Sequence, residues 1–292
     1  MSVSRRDFLK YSGISVGGLL AAGEIPAGKL VRQEEDSVSV LFDATLCVGC
    51  KACQVACKRR PDRQLPPVTD PTNTWEMPRD LSANVWTLIK LYESEDKKTW
   101  SYVKQQCMHC IEPACVSVCP VGALKKLPNG PVIYEDWKCF GCRYCMAACP
   151  FRSPRYQWDK LLPLIQKCDF CSAHLVEGKM SVCCVDSCPT GALKFGKRSE
   201  ILAEAKQRIA GTPGRYENRV FGETEIGGTS WLYLSKAGVP FEKLGFPKMD
   251  STALPELDWP FLLAVPGIIV VVGGLMSAIY ARTHRGTKAK EA

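Results

Sequence analysis

Cys139-Phe140-Gly141-Cys142-Arg143-Tyr144-Cys145-Met146-Ala147-Ala148-Cys149-Pro150 places three cysteines within seven residues and a fourth just ahead of a proline. Three thiolates so spaced wrap three corners of an iron–sulfur cubane. The fourth, carried away by the turn before the proline, ligates the other cluster of a pair. The pattern recurs on both sides. Upstream stand Cys107-x2-Cys110-x4-Cys115-x3-Cys119-Pro120 and, further back, Cys47-x2-Cys50-x2-Cys53-x3-Cys57. Downstream come Cys168-x2-Cys171, a twelve-residue gap, and Cys184-x3-Cys188-Pro189. Sixteen of the seventeen cysteines belong to these sets. They imply four [4Fe–4S] clusters and a role in moving single electrons.

Two other uses of cysteine fit poorly. A disulfide framework belongs to small secreted chains with irregular spacings, not to four repeats of one pattern. Structural zinc takes two CxxC pairs per ion, and CxxCxxC offers a third thiolate with no use for it. Cys183 is the odd residue: Cys184–Cys188 keeps the three-residue spacing of the other sets and Cys183–Cys188 does not, so Cys183 is expected to be a free buried thiol.

The 292 residues carry a formal charge of +8, with cysteines counted as neutral. Each oxidised cubane with four thiolates brings about two negative charges, so four bring about −8. The basic excess therefore reads as compensation for cofactors. No basic module interleaved with aromatics is present, which argues against nucleic-acid binding.

Both ends carry targeting signals. Ser4-Arg5-Arg6-Asp7-Phe8-Leu9-Lys10, followed by the mildly apolar Tyr11 to Ala22, is a twin-arginine pattern. That apolar run is too short to span a bilayer. The twin-arginine route exports folded proteins, so clusters inserted in the cytosol would cross the membrane already buried. Residues 1–28 are assigned to this signal. Near the other end, Phe261 to Ala281 runs 21 residues without a charge. At about 1.5 Å per residue it spans about 30 Å, the hydrocarbon thickness. Trp259 and Tyr280 suit the interfaces, and Arg282, Arg285, Lys288 and Lys290 place the tail in the cytoplasm by the positive-inside rule. The soluble part then lies in the periplasm of a single-pass protein.

Cys119-Pro-Val-Gly-Ala-Leu124 and Cys188-Pro-Thr-Gly-Ala-Leu193 are near copies, each closing a cysteine set. Asn129-Gly130 predicts a hairpin turn leading to the next set. Cluster loop, short helix, hairpin and second loop make the bacterial ferredoxin plan. The expected fold is α+β: two interleaved ferredoxin-like modules with one C-terminal transmembrane helix at 261–281. The first module is split between 38–58 and 160–200, and the second occupies 100–158. An insertion fills 59–99, with Trp75 and Trp86, and is strand-like from Asn84 to Tyr92; Trp100 follows at its end. Residues 201–258 form a C-terminal extension. Across its start, Ser199 to Ala210 reads as an amphipathic helix capped by Ser199 and stopped by Gly211 and Pro213. Residues 212–258 read as an irregular external strap to the anchor.

His109, His174 and His284 have no catalytic setting. His109 sits at an x position between Cys107 and Cys110, where side chains usually point away from the cluster, with tuning of a cluster through a hydrogen bond as the alternative; the other two read as solvated. No nucleophile–base pair, phosphate loop or dinucleotide fingerprint is visible. The chain has cofactors but no evident active site of its own.

The four cysteine sets resemble those of four-cluster ferredoxin subunits in the dimethyl-sulfoxide-reductase and formate-dehydrogenase families. The nearer resemblance is to the HybA-type subunit of membrane-bound [NiFe] hydrogenases. It rests on Lys104-Gln-Gln-Cys-Met-His-Cys110, Cys115-Val-Ser-Val-Cys-Pro120, Gly141-Cys-Arg-Tyr-Cys145 and Leu41-Phe-Asp-Ala-Thr-Leu-Cys-Val-Gly-Cys50. Outside the cluster loops it rests on Gly191-Ala-Leu-Lys-Phe-Gly-Lys197 and on Gly238-Val-Pro-Phe-Glu-Lys-Leu-Gly-Phe-Pro-Lys-Met-Asp250. Cys183 departs from the pattern, where a non-ligand residue is expected.

The resemblance implies a ligand partition. Cys47, Cys50, Cys53 and Cys188 would hold one cluster, and Cys57, Cys168, Cys171 and Cys184 its neighbour. Cys107, Cys110, Cys115 and Cys149 would hold a third, and Cys119, Cys139, Cys142 and Cys145 the fourth. It also implies partners: the small and large subunits of a [NiFe] hydrogenase, and a multi-span, quinone-reactive membrane subunit. The chain would be a non-catalytic electron-transfer subunit. The alternative keeps the wire and changes the catalyst, to a formate dehydrogenase or another molybdenum oxidoreductase.

Overall fold

The computed structural model describes residues 37–60, 78–176 and 181–284. The twin-arginine segment, Trp75 and the basic residues from Arg285 onward lie outside these. In chain order the elements are β1 (Val38–Asp43), α1 (Ala52–Lys58), β2 (Thr87–Glu93), β3 (Trp100–Gln106), α2 (Ala114–Ser117), β4 (Leu124–Lys126) and β5 (Val132–Tyr134). There follow α3 (Tyr144–Ala148), β6 (Arg155–Tyr156), β7 (Ile165–Gln166), α4 (Ser172–Val176), α5 (Cys183–Asp186) and β8 (Leu193–Lys197). The chain ends with α6 (Arg198–Gly211), β9 (Trp231–Leu234) and α7 (Leu254–His284).

The interleaving is visible in the central sheet, whose order is β8-β1-β9. β1 runs antiparallel to β8, with Val38 opposite Lys197 and Phe42 opposite Leu193. This pairing draws the first cysteine set to the fourth, and α1 packs against α5. Between them in sequence, α2 packs against α3, and the β4–β5 and β6–β7 hairpins complete the second unit. The predicted Asn129-Gly130 turn closes β4 onto β5, with Gly130 at φ 121°. Its Asn129 carbonyl accepts the Val38 N–H at 2.9 Å, so the hairpin of one unit is fastened to the first strand of the other. β2, from the strand-like part of the insertion, forms a further hairpin with β3, which lies in the range expected for the second module.

Two expectations are corrected. Residues 212–258 are not an external strap. Within them β9 lies parallel to β1 (Val40 opposite Trp231, Asp43 opposite Leu234), and all four of its residues are buried. A four-residue strand buried on both faces has no polar alternation to betray it. The following segment also turns inward: Val239 and Phe241 are fully buried, and Phe246 packs on Phe221 and Tyr233 at centroid distances of 4.5 and 4.8 Å. The second correction concerns α6, which begins at Arg198 with Lys197 as its N-cap residue and no side-chain cap. β8 runs directly into this helix, and the Arg198 N–H is satisfied by the Ser37 carbonyl at 2.8 Å, so Ser199 is not needed as a cap. Ile201 and Ala205 form its buried face, as the periodicity predicts.

The helix α7 starts earlier than the uncharged stretch and continues through it. Ala264–Thr283 is long and apolar enough to cross a membrane, with none of that window buried against the protein. Ile269, Val271 and Tyr280 are each more than half exposed. An apolar surface of that extent demands lipid or a partner helix.

Phe241→Ala should lower stability by about 3–5 kcal/mol, the cost of emptying a buried aromatic site. Thermal unfolding of the cluster-loaded protein measures this. A loss within about 0.5 kcal/mol is what an external strap would show.

Candidate metal centres

The cysteine loops share one backbone device. In the first CxxC of each set the residue before the second cysteine has a left-handed conformation: Gly49 (φ 69°), His109 (φ 49°), Gly141 (φ 82°) and Phe170 (φ 61°). That turn folds the second thiol back toward the first. Two of the four glycines this geometry would favour are present, and tight packing explains them. A Cβ on Gly49 would lie 2.5 Å from the Tyr102 ring, and one on Gly141 would lie 2.8 Å from the Tyr156 hydroxyl. After Cys119-Pro120 and Cys188-Pro189, Gly122 and Gly191 close matching turns, their N–H groups donating to the Cys119 and Cys188 carbonyls.

The loops bring the thiols close enough to act on one another electrostatically, in the groups that the resemblance implies. Burial pushes Cys47 up to about 11, and the nearby thiolates of Cys53, Cys188 and Cys50 add to that. Cys184 rises to about 12 through burial, with Cys171 and Cys57 among its anionic neighbours. Cys168 is raised well above the usual thiol range by burial and then by Cys57. Cys110 rises through burial, then Cys149, Cys107 and Cys115. Cys145 rises to about 11 through burial, then Cys139, Cys119 and Cys142. The same fields connect the groups in series: Cys145 acts on Cys115, Cys107 on Cys168, and Cys53 on Cys184. Only the middle connection crosses from one unit to the other.

The donor set suits iron–sulfur ligation. Backbone N–H groups approach the sulfurs, Ala123 to Cys119 at 3.2 Å and Phe170 to Cys168 at 3.5 Å. Cys119, Cys139, Cys142 and Cys145 line one narrow recess together with Tyr134 and Phe140. The buried His109 accepts the Val132 N–H on Nδ1 at 2.9 Å. Its Nε2 has no partner among the described residues, which leaves one donor free for an acceptor such as a cluster sulfur.

Two models described as 4Fe-4S dicluster domains match the chain, over residues 98–198 and 46–123. A protein of Nitratidesulfovibrio vulgaris is 42% identical over 87% of this chain and 69% of its own length. The hydrogenase-2 operon protein HybA of Escherichia coli O157:H7 is 36% identical, with 85% of each chain covered. The formate dehydrogenase iron–sulfur subunit of Haemophilus influenzae is 35% identical over 94% of this chain and 86% of its own. The chain belongs to this iron–sulfur subunit family. As a member, it has [4Fe–4S] clusters as its cofactors, and two dicluster domains with four cysteine groups account for four of them.

In this family member the sequence reading missed the charges around the thiols. Lys104 and Lys167 are buried, and Lys126 is partly so. Lys126 is pulled down to about 8 by burial, against the thiolates of Cys110 and Cys107. Lys167 donates to the Val132 and Cys168 carbonyls, and it lowers Cys115 and Cys149 against the burial that raises them. Arg60, at the end of α1, grips both oxygens of Asp169 at 2.6 and 3.1 Å and reaches the Cys171 sulfur at 3.6 Å. This bidentate pair ties the loop of the fourth cysteine set to the helix of the first. The signal available in the sequence was weak: Lys104 and Lys167 stand close before their CxxC loops, but nothing local says they are buried.

Cys183 is half-buried rather than buried, and it is not isolated. Its sulfur lies within hydrogen-bond distance of that of Cys171, at 3.5 Å, and a side-chain hydrogen bond also links it to Cys57. Those bonds hold Cys57 and Cys171 below the usual thiol range while Cys183 itself is pushed far up. Cys184, the next residue on α5, is buried. His174 is half-buried on α4, and the side chain of His284 lies outside the described part.

Cys184→Ser should lose or convert one cluster of the four. Cys183→Ser should leave iron and sulfide at wild-type content, about sixteen of each for four cubanes. Chemical iron and sulfide analysis of anaerobically purified protein distinguishes them, and the reverse pattern would exchange the two roles.

Proposed function

We propose that this chain is the electron-transfer subunit that connects a periplasmic [NiFe] hydrogenase to a quinone-reactive membrane subunit. The carrying observation is the serial arrangement of the four cysteine groups, joined through Cys145–Cys115, Cys107–Cys168 and Cys53–Cys184. The proposed ligand sets are Cys119, Cys139, Cys142 and Cys145; then Cys107, Cys110, Cys115 and Cys149; then Cys57, Cys168, Cys171 and Cys184; then Cys47, Cys50, Cys53 and Cys188. When bound, the clusters supply one-electron chemistry. The chain's own part is to hold sixteen thiolates, keep water from the middle of the series and leave its ends open.

Exposure follows that logic. Cys50 at one end is exposed, and three of the four cysteines at the other end are half-buried. In the two inner groups five of eight are buried. Around the Cys119–Cys145 end the surface carries Trp137, Phe140, Tyr144 and Trp158, all more than 60% exposed. Such a patch suits a partner held against that end. The candidate membrane-spanning helix α7 suits attachment to a membrane subunit. The twin-arginine pattern and the charges after the helix support a periplasmic body, a single span and a cytoplasmic tail.

Two families of catalyst compete. The hydrogenase reading is supported by HybA and by the resemblance outside the cluster loops. The formate dehydrogenase reading is supported by iron–sulfur subunits 35–38% identical to this chain. Co-purification from membranes followed by metal analysis decides between them. Nickel supports the first, and molybdenum or tungsten without nickel overturns it.

Removing residues 259–292 should release a protein with its clusters intact, since no cysteine lies there. Hydrogen-dependent dye reduction by the complex should persist while hydrogen-dependent quinone reduction falls at least tenfold. Full-rate quinone reduction would mean that the body, not the helix, makes the docking.

A further inference from the structure

Lys104 on β3 is 1% exposed, and its ammonium has only neutral partners among the described residues. It donates to Thr87 Oγ1 at 2.5 Å and to Gln106 Oε1 at 3.0 Å, and it stands 4.5 Å above the Trp231 ring. The cradle is itself fixed. Gln106 donates to the Tyr233 hydroxyl, and that hydroxyl donates to the Lys104 carbonyl at 3.0 Å. Thr87 and Gln106 face each other across the β2–β3 ladder, and Trp231 and Tyr233 belong to the buried strand β9. Three strands thus converge to place one cation.

A buried charge is costly unless an opposite charge answers it. No carboxylate pairs with Lys104 among the described salt bridges, and the anions that act on it are the thiolates of Cys184, Cys53, Cys168 and Cys57. Burial alone would pull this ammonium down; the four thiolates outweigh burial and hold it above its ordinary value. Those cysteines belong to two groups, Cys53 to one and the other three to its neighbour. Lys126 and Lys167, by contrast, spend their donors on backbone carbonyls beside the second unit.

We propose that Lys104 is a positioning residue for electron transfer: a fixed, buried positive charge shared by the Cys47/Cys50/Cys53/Cys188 and Cys57/Cys168/Cys171/Cys184 sites, which raises the reduction potentials of both. Each of these sites gains one negative charge on accepting an electron. A fixed cation nearby therefore favours the reduced form over the oxidised one, and it does so strongly because Lys104 is buried in a low-dielectric interior. The sign follows directly: removing the charge lowers the potential. The inference rests on the cluster ligation proposed above but on neither catalytic partner.

The test is a redox titration of the purified, cluster-loaded protein followed by electron paramagnetic resonance, comparing wild type with Lys104→Met and Lys104→Arg. In Lys104→Met the steps belonging to these two sites should move to lower potential. The expected size is about tenfold in the reduced-to-oxidised ratio at fixed potential, which is about 59 mV for a one-electron couple. Lys104→Arg, which keeps the charge, should stay near wild type. Iron and sulfide content, measured on the same samples, separates failure of this inference from failure of the ligand assignment. No movement of any step, or equal movement of all four, overturns it. If Lys104→Met fails to load iron while Lys104→Arg loads fully, the charge is still what the site requires. Loss of iron from both overturns the inference, because the position would then be one of shape.

Discussion

A cysteine that holds iron does so as a thiolate, and most of the sixteen in this chain's four sets are buried or half-buried. Burial raises the thiols it encloses, and neighbouring sulfurs raise one another further. A fold that groups so many anions must supply cations at depth, where a surface ion pair would contribute little. Lys104, Lys126, Lys167 and Arg60 are that supply. Each is held by more than charge: Lys104 by two neutral acceptors and a ring, Lys126 and Lys167 by carbonyls, Arg60 by a bidentate grip on Asp169. The overall charge of +8 is thus partly an interior property and not only a surface one.

The backbone answers the same constraint with strain. Folding a second thiol back toward the first requires a left-handed residue before it. At Gly49 and Gly141 this costs little, while at His109 and Phe170 it costs about 1–2 kcal/mol each. Both of those side chains repay attention elsewhere in the core. His109 is wholly enclosed and binds the Val132 N–H, and its ring meets Phe170 edge-on at 4.9 Å. The strained positions of the second and fourth cysteine sets therefore brace each other, at the place where the two units join.

That junction is also where the electron path must cross. Among the described thiols, Cys107 acts on Cys168 across the join between the two units. This proximity depends on the Val38–Asn129 hydrogen bond, the His109–Phe170 contact and Lys167 reaching the Val132 carbonyl. Stability and conduction share these residues.

The cysteine spacings by themselves determined the cofactor class and, with the Asn129-Gly130 turn, the α+β ferredoxin plan, because ligand geometry and turn chemistry are local. The uncharged run from Phe261 likewise announced its helix, since length and composition suffice. What the tertiary structure alone decided is how distant pieces meet. The strand Trp231–Leu234 looked like part of an external strap because a short strand buried on both faces shows no alternation, and its place beside β1 is set by pairing alone. Ser199 looked like a cap, but β8 already supplies the helix start. Lys104 looked like one polar residue of a strand; its burial comes from Trp231, more than a hundred residues away, folding over it. The order of the four thiol groups is of the same kind. Spacing says which cysteines sit in one cluster loop, whereas adjacency between loops comes only from packing one unit against the other.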